Sequence, residues 1–117
     1  MKRVINEQVA DQIRALLMNE SDVEEKTMFS GHCFLVDGKM CVCVNQEELL
    51  CRIGHERVVE ELEKGTCRQM VMNGRASKDF VYVALADISN PKKLADWIAL
   101  CLQFNPLAKA SKKKNKS

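Results

Sequence analysis

Ile5, Val9, Ile13, Leu16 and Leu17 fall on one helical stripe with Glu7, Asp11 and Arg14 outside it, which predicts an amphipathic helix over residues 5–17. Residues 19–26 are acidic and unpatterned and read as a linker into a sheet. The pattern then changes to short apolar runs. Thr27-Met-Phe leads through Ser30-Gly31, a pair that bends or breaks the chain, into His32–Val36, and further runs follow at Lys39–Val44 and Leu49–Ile53. Asp37-Gly38 between the second and third of these runs predicts a hairpin, because a type I′ turn needs two residues that tolerate positive φ.

With Val36 opposite Lys39 and the pairs counted back one for one, Leu35 meets Met40, Phe34 meets Cys41, Cys33 meets Val42 and His32 meets Cys43. A turn at Asn45–Glu48 then sets Val44 against Leu49. This register predicts two faces. Cys33, Leu35, Met40, Val42, Val44, Leu49, Cys51 and Ile53 form the floor for the helices. The other face carries His32, Phe34, Val36, Lys39, Cys41, Cys43, Leu50 and Arg52, and is too apolar for a sheet face in water. His32, Phe34, Val36, Cys41, Cys43, Leu50 and Arg52 are therefore the candidate residues for contact with a protein partner or a second copy.

Further on, Val58, Val59 and Leu62 point a second helix, from about His55 to Lys64, toward the core, and Gly65 stops it. Cys67–Met72 and Phe80–Leu85 predict two more strands joined by a loop at residues 73–79. Asn90-Pro91, a capping residue followed by a proline, opens a last helix with Leu94, Trp97, Ile98, Cys101 and Leu102 on one stripe. The sum is an α+β domain, two layers with an antiparallel sheet flanked by helices, in the order α-β-β-β-α-β-β-α.

At 117 residues, of which 46% are hydrophobic, the chain fits one domain whose core needs no staples. Five of the 18 basic residues lie in residues 105–117, which hold no acid, so residues 1–104 carry 13 basic against 16 acidic residues. Residues 1–104 read as the domain and 105–117 as a disordered, lysine-rich tail with weak contact to nucleic acid as its one functional option. The acidic body argues against a dedicated nucleic-acid binder, and a 5% share of aromatic residues argues against a stacking platform. No apolar run is long enough for a membrane span or a signal peptide, which predicts a cytoplasmic protein without membrane contact. Cys33, Cys41, Cys43, Cys51 and Cys101 sit in apolar runs and read as reduced core thiols.

Candidate chemistry is sparse. The chain has no phosphate-binding glycine loop, no HExxH, no CxxC and no GxSxG. His32 and Cys43, neighbours in the register above, are the one Cys and His pair it brings together, and with Cys41 they make the alternative of a small thiol- or metal-dependent protein. Residues on adjacent and alternate strand positions diverge, however, which suits packing better than tetrahedral ligation. The methionines at 28, 40, 70 and 72 read as core filling, and Arg68, Arg75 and Lys78 as solvated charges. No cofactor is expected.

The segment KTMFSGHCFLVDGKM at residues 26–40, the short acidic turn before Leu49–Ile53, the amphipathic second helix and the helix at Asn90–Ala99, with its Asn-Pro opening, Leu94 and Asp96-Trp-Ile-Ala, resemble the TfoX N-terminal domain family over residues 5–104. Ser30 stands where the family carries its first glycine, and Cys33, Cys41 and Cys43 replace aromatic or small apolar residues. The resemblance implies a two-layer, secretion-chaperone-like α+β fold and a non-enzymatic regulatory role. Family members with an added C-terminal domain regulate competence genes together with the transcription machinery.

Overall fold

The computed structural model of the chain describes residues 6–28 and 31–108, apart from the side chains of Met28 and Met72. Ile5 of the predicted first stripe, Phe29 and Ser30, and residues 109–117 of the predicted tail lie outside them.

The elements follow in the order α1 (Glu7–Leu16), β1 (Val23–Met28), β2 (Gly31–Val36), β3 (Lys39–Val44), β4 (Glu48–Arg52), α2 (His55–Lys64), β5 (Arg68–Met72), β6 (Arg75–Ala84) and α3 (Pro91–Phe104). The α+β class and the element order are those predicted, with the strand expected from Thr27 divided into β1 and β2. Six antiparallel strands make one sheet in the order β1-β2-β3-β4-β6-β5. Val23–Lys26 are not linker. They form the first part of β1, an edge strand whose charged residues protect its open side from further pairing.

Local chemistry explains most boundaries. Asn6 caps α1, its Oδ1 accepting from Val9 N at 3.1 Å, and Asn90 caps α3, accepting from Lys92 N at 2.7 Å ahead of Pro91. Gly65 ends α2 in the left-handed region at φ 74°. Asp37 and Gly38 take φ of 55° and 76°, the predicted type I′ turn. A second such turn, Asn73 (55°) and Gly74 (77°), replaces the expected loop at 73–79, so β6 begins at Arg75 and the β5–β6 hairpin is tight.

The β2–β3 register departs from a one-for-one count. Val36 faces Lys39 and Leu35 faces Met40 as predicted, but Phe34 then faces Val42, Cys33 faces Cys43 and His32 faces Val44. Cys41 is the extra residue of a β-bulge, where two residues of one strand oppose one of the other. Its side chain and that of Val42 both enter the helix-side core. A slip of one residue turns every β2 side chain over. Phe34 and Val36 therefore lie under the helices, and Cys33, Leu35 and Met40 lie on the opposite face with Cys43 and Leu50.

The helix-side core joins Ala10, Ile13 and Leu17 of the α1 region, Val58 of α2 and Leu94, Trp97, Ile98 and Cys101 of α3 to the inner positions of the sheet. Each such Leu, Ile or Phe contributes roughly 1.5–3 kcal/mol by burial. Val59, predicted to face inward, is 42% exposed, and Leu16 is 39% exposed at the edge of the α1 stripe. Order continues past the predicted boundary at residue 105. Asn105 is buried, its Nδ2 donating to Val36 O at 3.2 Å and its carbonyl accepting from Lys39 Nζ at 3.1 Å, so the end of α3 is latched to the tip of the β2–β3 hairpin.

Phe34 distinguishes the bulged register from the unbulged one. Phe34→Ala removes a fully buried ring from the helix-side core and is expected to lower stability by about 3–5 kcal/mol, measured by urea unfolding followed through Trp97 fluorescence. A surface position would lose less than 1 kcal/mol.

Candidate functional site

The seven residues predicted to share one contact face are divided by the bulge. Phe34, Val36 and Cys41 belong to the helix-side core, whereas Cys43 and Leu50 belong to a separate cluster on the outer face. That outer cluster is closed: Cys33, Leu35, Met40, Cys43, Leu50 and Met70 are each at most 4% exposed, with Phe80 and Tyr82 packed against them. At its rim Arg68 lies 4.5 Å above the Tyr82 ring and holds Glu48 with contacts of 2.8 and 3.0 Å, and Arg52 lies 5.3 Å above Phe80. Arg68, laid over its ring, covers apolar surface while its head stays wet. Arg68 is thus an ion-paired cover and not a free anion-binding charge. The outer face is not the bare apolar wall that the alternation of residues predicts.

His32 sits beside the helix-side core. Its Nε2 is 2.6 Å from Glu25 Oε1 of β1, and its ring meets Phe34 edge-on at 5.2 Å. Arg14 of α1 clasps the same carboxylate, donating through Nε and Nη2 at 2.7 Å each. The hydrogen bonds from Arg14, joined by the one from His32, hold the Glu25 carboxyl down to about 2, against partial desolvation that acts the other way. The trio ties α1 to the first hairpin.

The cysteines also depart from the reduced set expected. Cys33 and Cys43, brought directly opposite by the bulge with their Cα atoms 4.0 Å apart, are joined in a disulfide. Cys41, Cys51, Cys67 and Cys101 are free thiols. Cys41 donates toward Cys101, and that bond together with burial drives its pKa far above the ordinary thiol value. For Cys101 the bond from Cys41 acts downward, but its own bond to Cys51 and complete burial outweigh it and raise the value well above normal. Burial raises half-exposed Cys67 too, against the lowering hydrogen bond with Thr66. Every one of these shifts favours the thiol over the nucleophilic thiolate. His32, Cys41 and Cys43 do not converge, because Cys43 is on the far side of the sheet from the other two. Among the described residues no group of three or more His, Cys, Asp or Glu side chains is placed to hold a metal ion.

Arg52 is largely buried between the Phe80 and Phe104 rings, with Asp79 3.9 Å away; burial lowers its pKa and Asp79 works against that. Phe104 also belongs to a feature that the sequence pattern does not single out, a groove of about 360 Å³ between the start of α2 and the end of α3. Ile53, Leu100 and Phe104 line it with His55, Glu56 and Arg57, and Leu107 stands at its lip 76% exposed. Gly54 is required there: a Cβ would come within 2.6 Å of the Phe104 ring, and its φ is 87°. The signal in the sequence was the Asn-Pro-Leu that follows α3, read as the start of a tail.

No described helix is long and apolar enough to cross a membrane. A comparison with protein families matches the TfoX N-terminal domain to residues 15–105, most of the chain. Comparisons with curated proteins and with solved structures find no match.

The depressed Glu25 carboxyl carries a pH signature. Its stabilising effect is complete above pH 4.5 and is lost as pH falls toward 2. The side chain is 30% exposed and Arg14 46%, so screening keeps the effect to about 1 kcal/mol. Unfolding free energies from urea titrations at about pH 6 and about pH 2.5 are expected to differ less, by that amount, in Glu25→Gln than in the parent protein.

Proposed function

Because this chain belongs to the TfoX N-terminal domain family, we propose that it acts as a non-enzymatic regulatory module that works by protein contact, its first partner being a second copy of itself. The family is in general non-catalytic, and the regulatory part of the reading, in the transcription of competence genes, comes from that membership. The observation that carries the contact is the groove. Leu107 projects beside a cavity lined by Ile53, Leu100 and Phe104, so one patch holds both a knob and the hole for it. A two-fold axis through that patch seats Leu107 of each copy in the groove of the other, the self-complementary condition for a closed dimer. Glu56 and Arg57 on the same lip supply opposite charges for the rim.

The state of the thiols supports the non-enzymatic part. A thiol enzyme needs a thiolate poised near neutral pH beside a base, whereas here two cysteines are bridged and three of the four free thiols are pushed toward protonation. The tail at residues 109–117 would add at most a weak contact with nucleic acid phosphates.

Sedimentation equilibrium from about 1 to 100 µM is expected to show a dimer, and Leu107→Glu is expected to weaken it about 100-fold, the effect of removing a central apolar anchor. A monomeric parent, or an equally dimeric variant, overturns self-association. Alkylation of the native protein at neutral pH is expected to label Cys67 alone within minutes, slowly for a thiol. Rapid labelling of Cys41, Cys51 or Cys101 would instead favour thiol chemistry.

A further inference from the structure

Three sulfurs meet on the outer face. Cys33 and Cys43 are bridged across β2 and β3, and Met40 Sδ is 3.7 Å from Cys43 Sγ. Met40 and Cys43 are three residues apart on one strand and would fall on opposite faces of a regular one; the bulge at Cys41 puts them on the same face. We propose that reduction of the bridge opens a binding site for Cu(I) made by Cys33, Cys43 and Met40.

The donor set selects the ion. Two thiolates and a thioether are soft ligands of the kind that favour Cu(I), which is satisfied by two or three sulfurs. Zinc calls for four donors, and the described residues offer no group of three or more His, Cys, Asp or Glu for one. The 3.7 Å between Met40 Sδ and Cys43 Sγ is near the separation of about 4 Å between sulfurs that each lie about 2.3 Å from one ion in a plane of three. Cα atoms 4.0 Å apart keep the two cysteine sulfurs adjacent after the bond between them opens. Charge is matched as well. Cu(I) with two thiolates carries one net negative charge, and Lys26 of β1 is the cross-strand partner of Cys33 on that face. Among the described residues no helix contributes to the outer cluster, so the sulfurs lie beneath side chains alone and are reachable by ligand exchange without opening the main core.

The chemistry balances with a dithiol as reductant. Its two electrons break the Cys33–Cys43 bond, its own sulfurs close into a disulfide, and two thiols remain on the protein. Cu(I) then displaces the two thiol protons to solvent. The bridged form has no thiolate to offer, so binding is gated by the redox state.

The test is a Cu(I) titration of the full chain under anaerobic conditions against the chelator bathocuproine disulfonate, after dithiol treatment and desalting, with circular dichroism to establish that the reduced protein is folded. One equivalent held by the reduced parent is expected, with none held by protein reoxidised with diamide. Cys33→Ser should lower affinity at least about 100-fold and Met40→Leu, which keeps the apolar volume, about tenfold. X-ray absorption of the loaded parent should show sulfur neighbours only. Failure of the folded, reduced parent to hold copper overturns the proposal. So does copper retained undiminished in Cys33→Ser, which would assign it to Cys41, Cys51 and Cys101, or a Met40→Leu variant that stays folded and binds as the parent does.

Discussion

One additional residue in β3 determines which side chains this protein hides and where. The bulge at Cys41 advances β3 by one position against β2, and because side chains alternate with period two, every β2 side chain exchanges faces relative to Val42–Val44 and β4. Phe34 and Val36 pass beneath the helices, where Phe34 supports the Arg14, Glu25 and His32 network and Val36 offers its carbonyl to Asn105. In the other direction Cys33 comes opposite Cys43, and Met40 comes to the same side. The facing of Cys33 and Cys43, and with it the disulfide, is thus a consequence of one local irregularity.

A sheet buried on both faces but covered by helices on one is an unusual demand for a chain of 117 residues. It is met by inequality between the faces. The helix side holds the large aliphatic core, while the outer side holds a small cluster rich in sulfur, rimmed by arginines laid over Phe80 and Tyr82. Cysteine and methionine suit such a thin layer, since they pack as small or adaptable apolar groups and tolerate irregular spacing. The bridge between Cys33 and Cys43 adds a covalent tie where no helix presses on the strands.

The parts of this architecture visible in the sequence are those encoded locally. Asp37-Gly38, Asn90-Pro91 and Gly65 each impose a backbone conformation on their own neighbourhood, and each lies where it was predicted to act. What escaped is encoded by pairing partners. β1 has the charged composition of a protected edge strand and no apolar alternation, so it resembles a linker until its pairing with β2 is known. Asn73-Gly74 is as good a turn signal as Asp37-Gly38, but the polar residues from Arg75 to Asp79 concealed the long first half of β6. The bulge has no signature in composition at all. Counting residue for residue from a correct turn therefore produced correct first pairs, inverted faces on β2, and a contact surface assembled from both sides of the sheet. The groove beside α2 was overlooked for a different reason: it depends on α3 running on to Phe104 and on Leu107 being held by the order that follows, neither of which apolar periodicity reveals.

The same inversion separates the sulfur chemistry into two compartments with opposite prospects. Cys41, Cys51 and Cys101 share the helix-side core, where mutual hydrogen bonds and exclusion of water hold Cys41 and Cys101 protonated. Thiols in that condition are poor nucleophiles and poor ligands until the core opens, which would cost much of the stability of the domain. Cys33 and Cys43 are withheld by a covalent bond instead of by burial in a thick core, so an exchange of electrons is enough to release them. The distinction matters because a group that changes state must sit where the change leaves the main core intact. In this fold the outer face satisfies that condition and the helix side does not, while the groove at α2 and α3 lies on elements packed against the helix-side core. The bridge and Leu107 are therefore separated by the thickness of the sheet, and β4 spans it, carrying Leu50 on the outer face with Cys51 on the inner one.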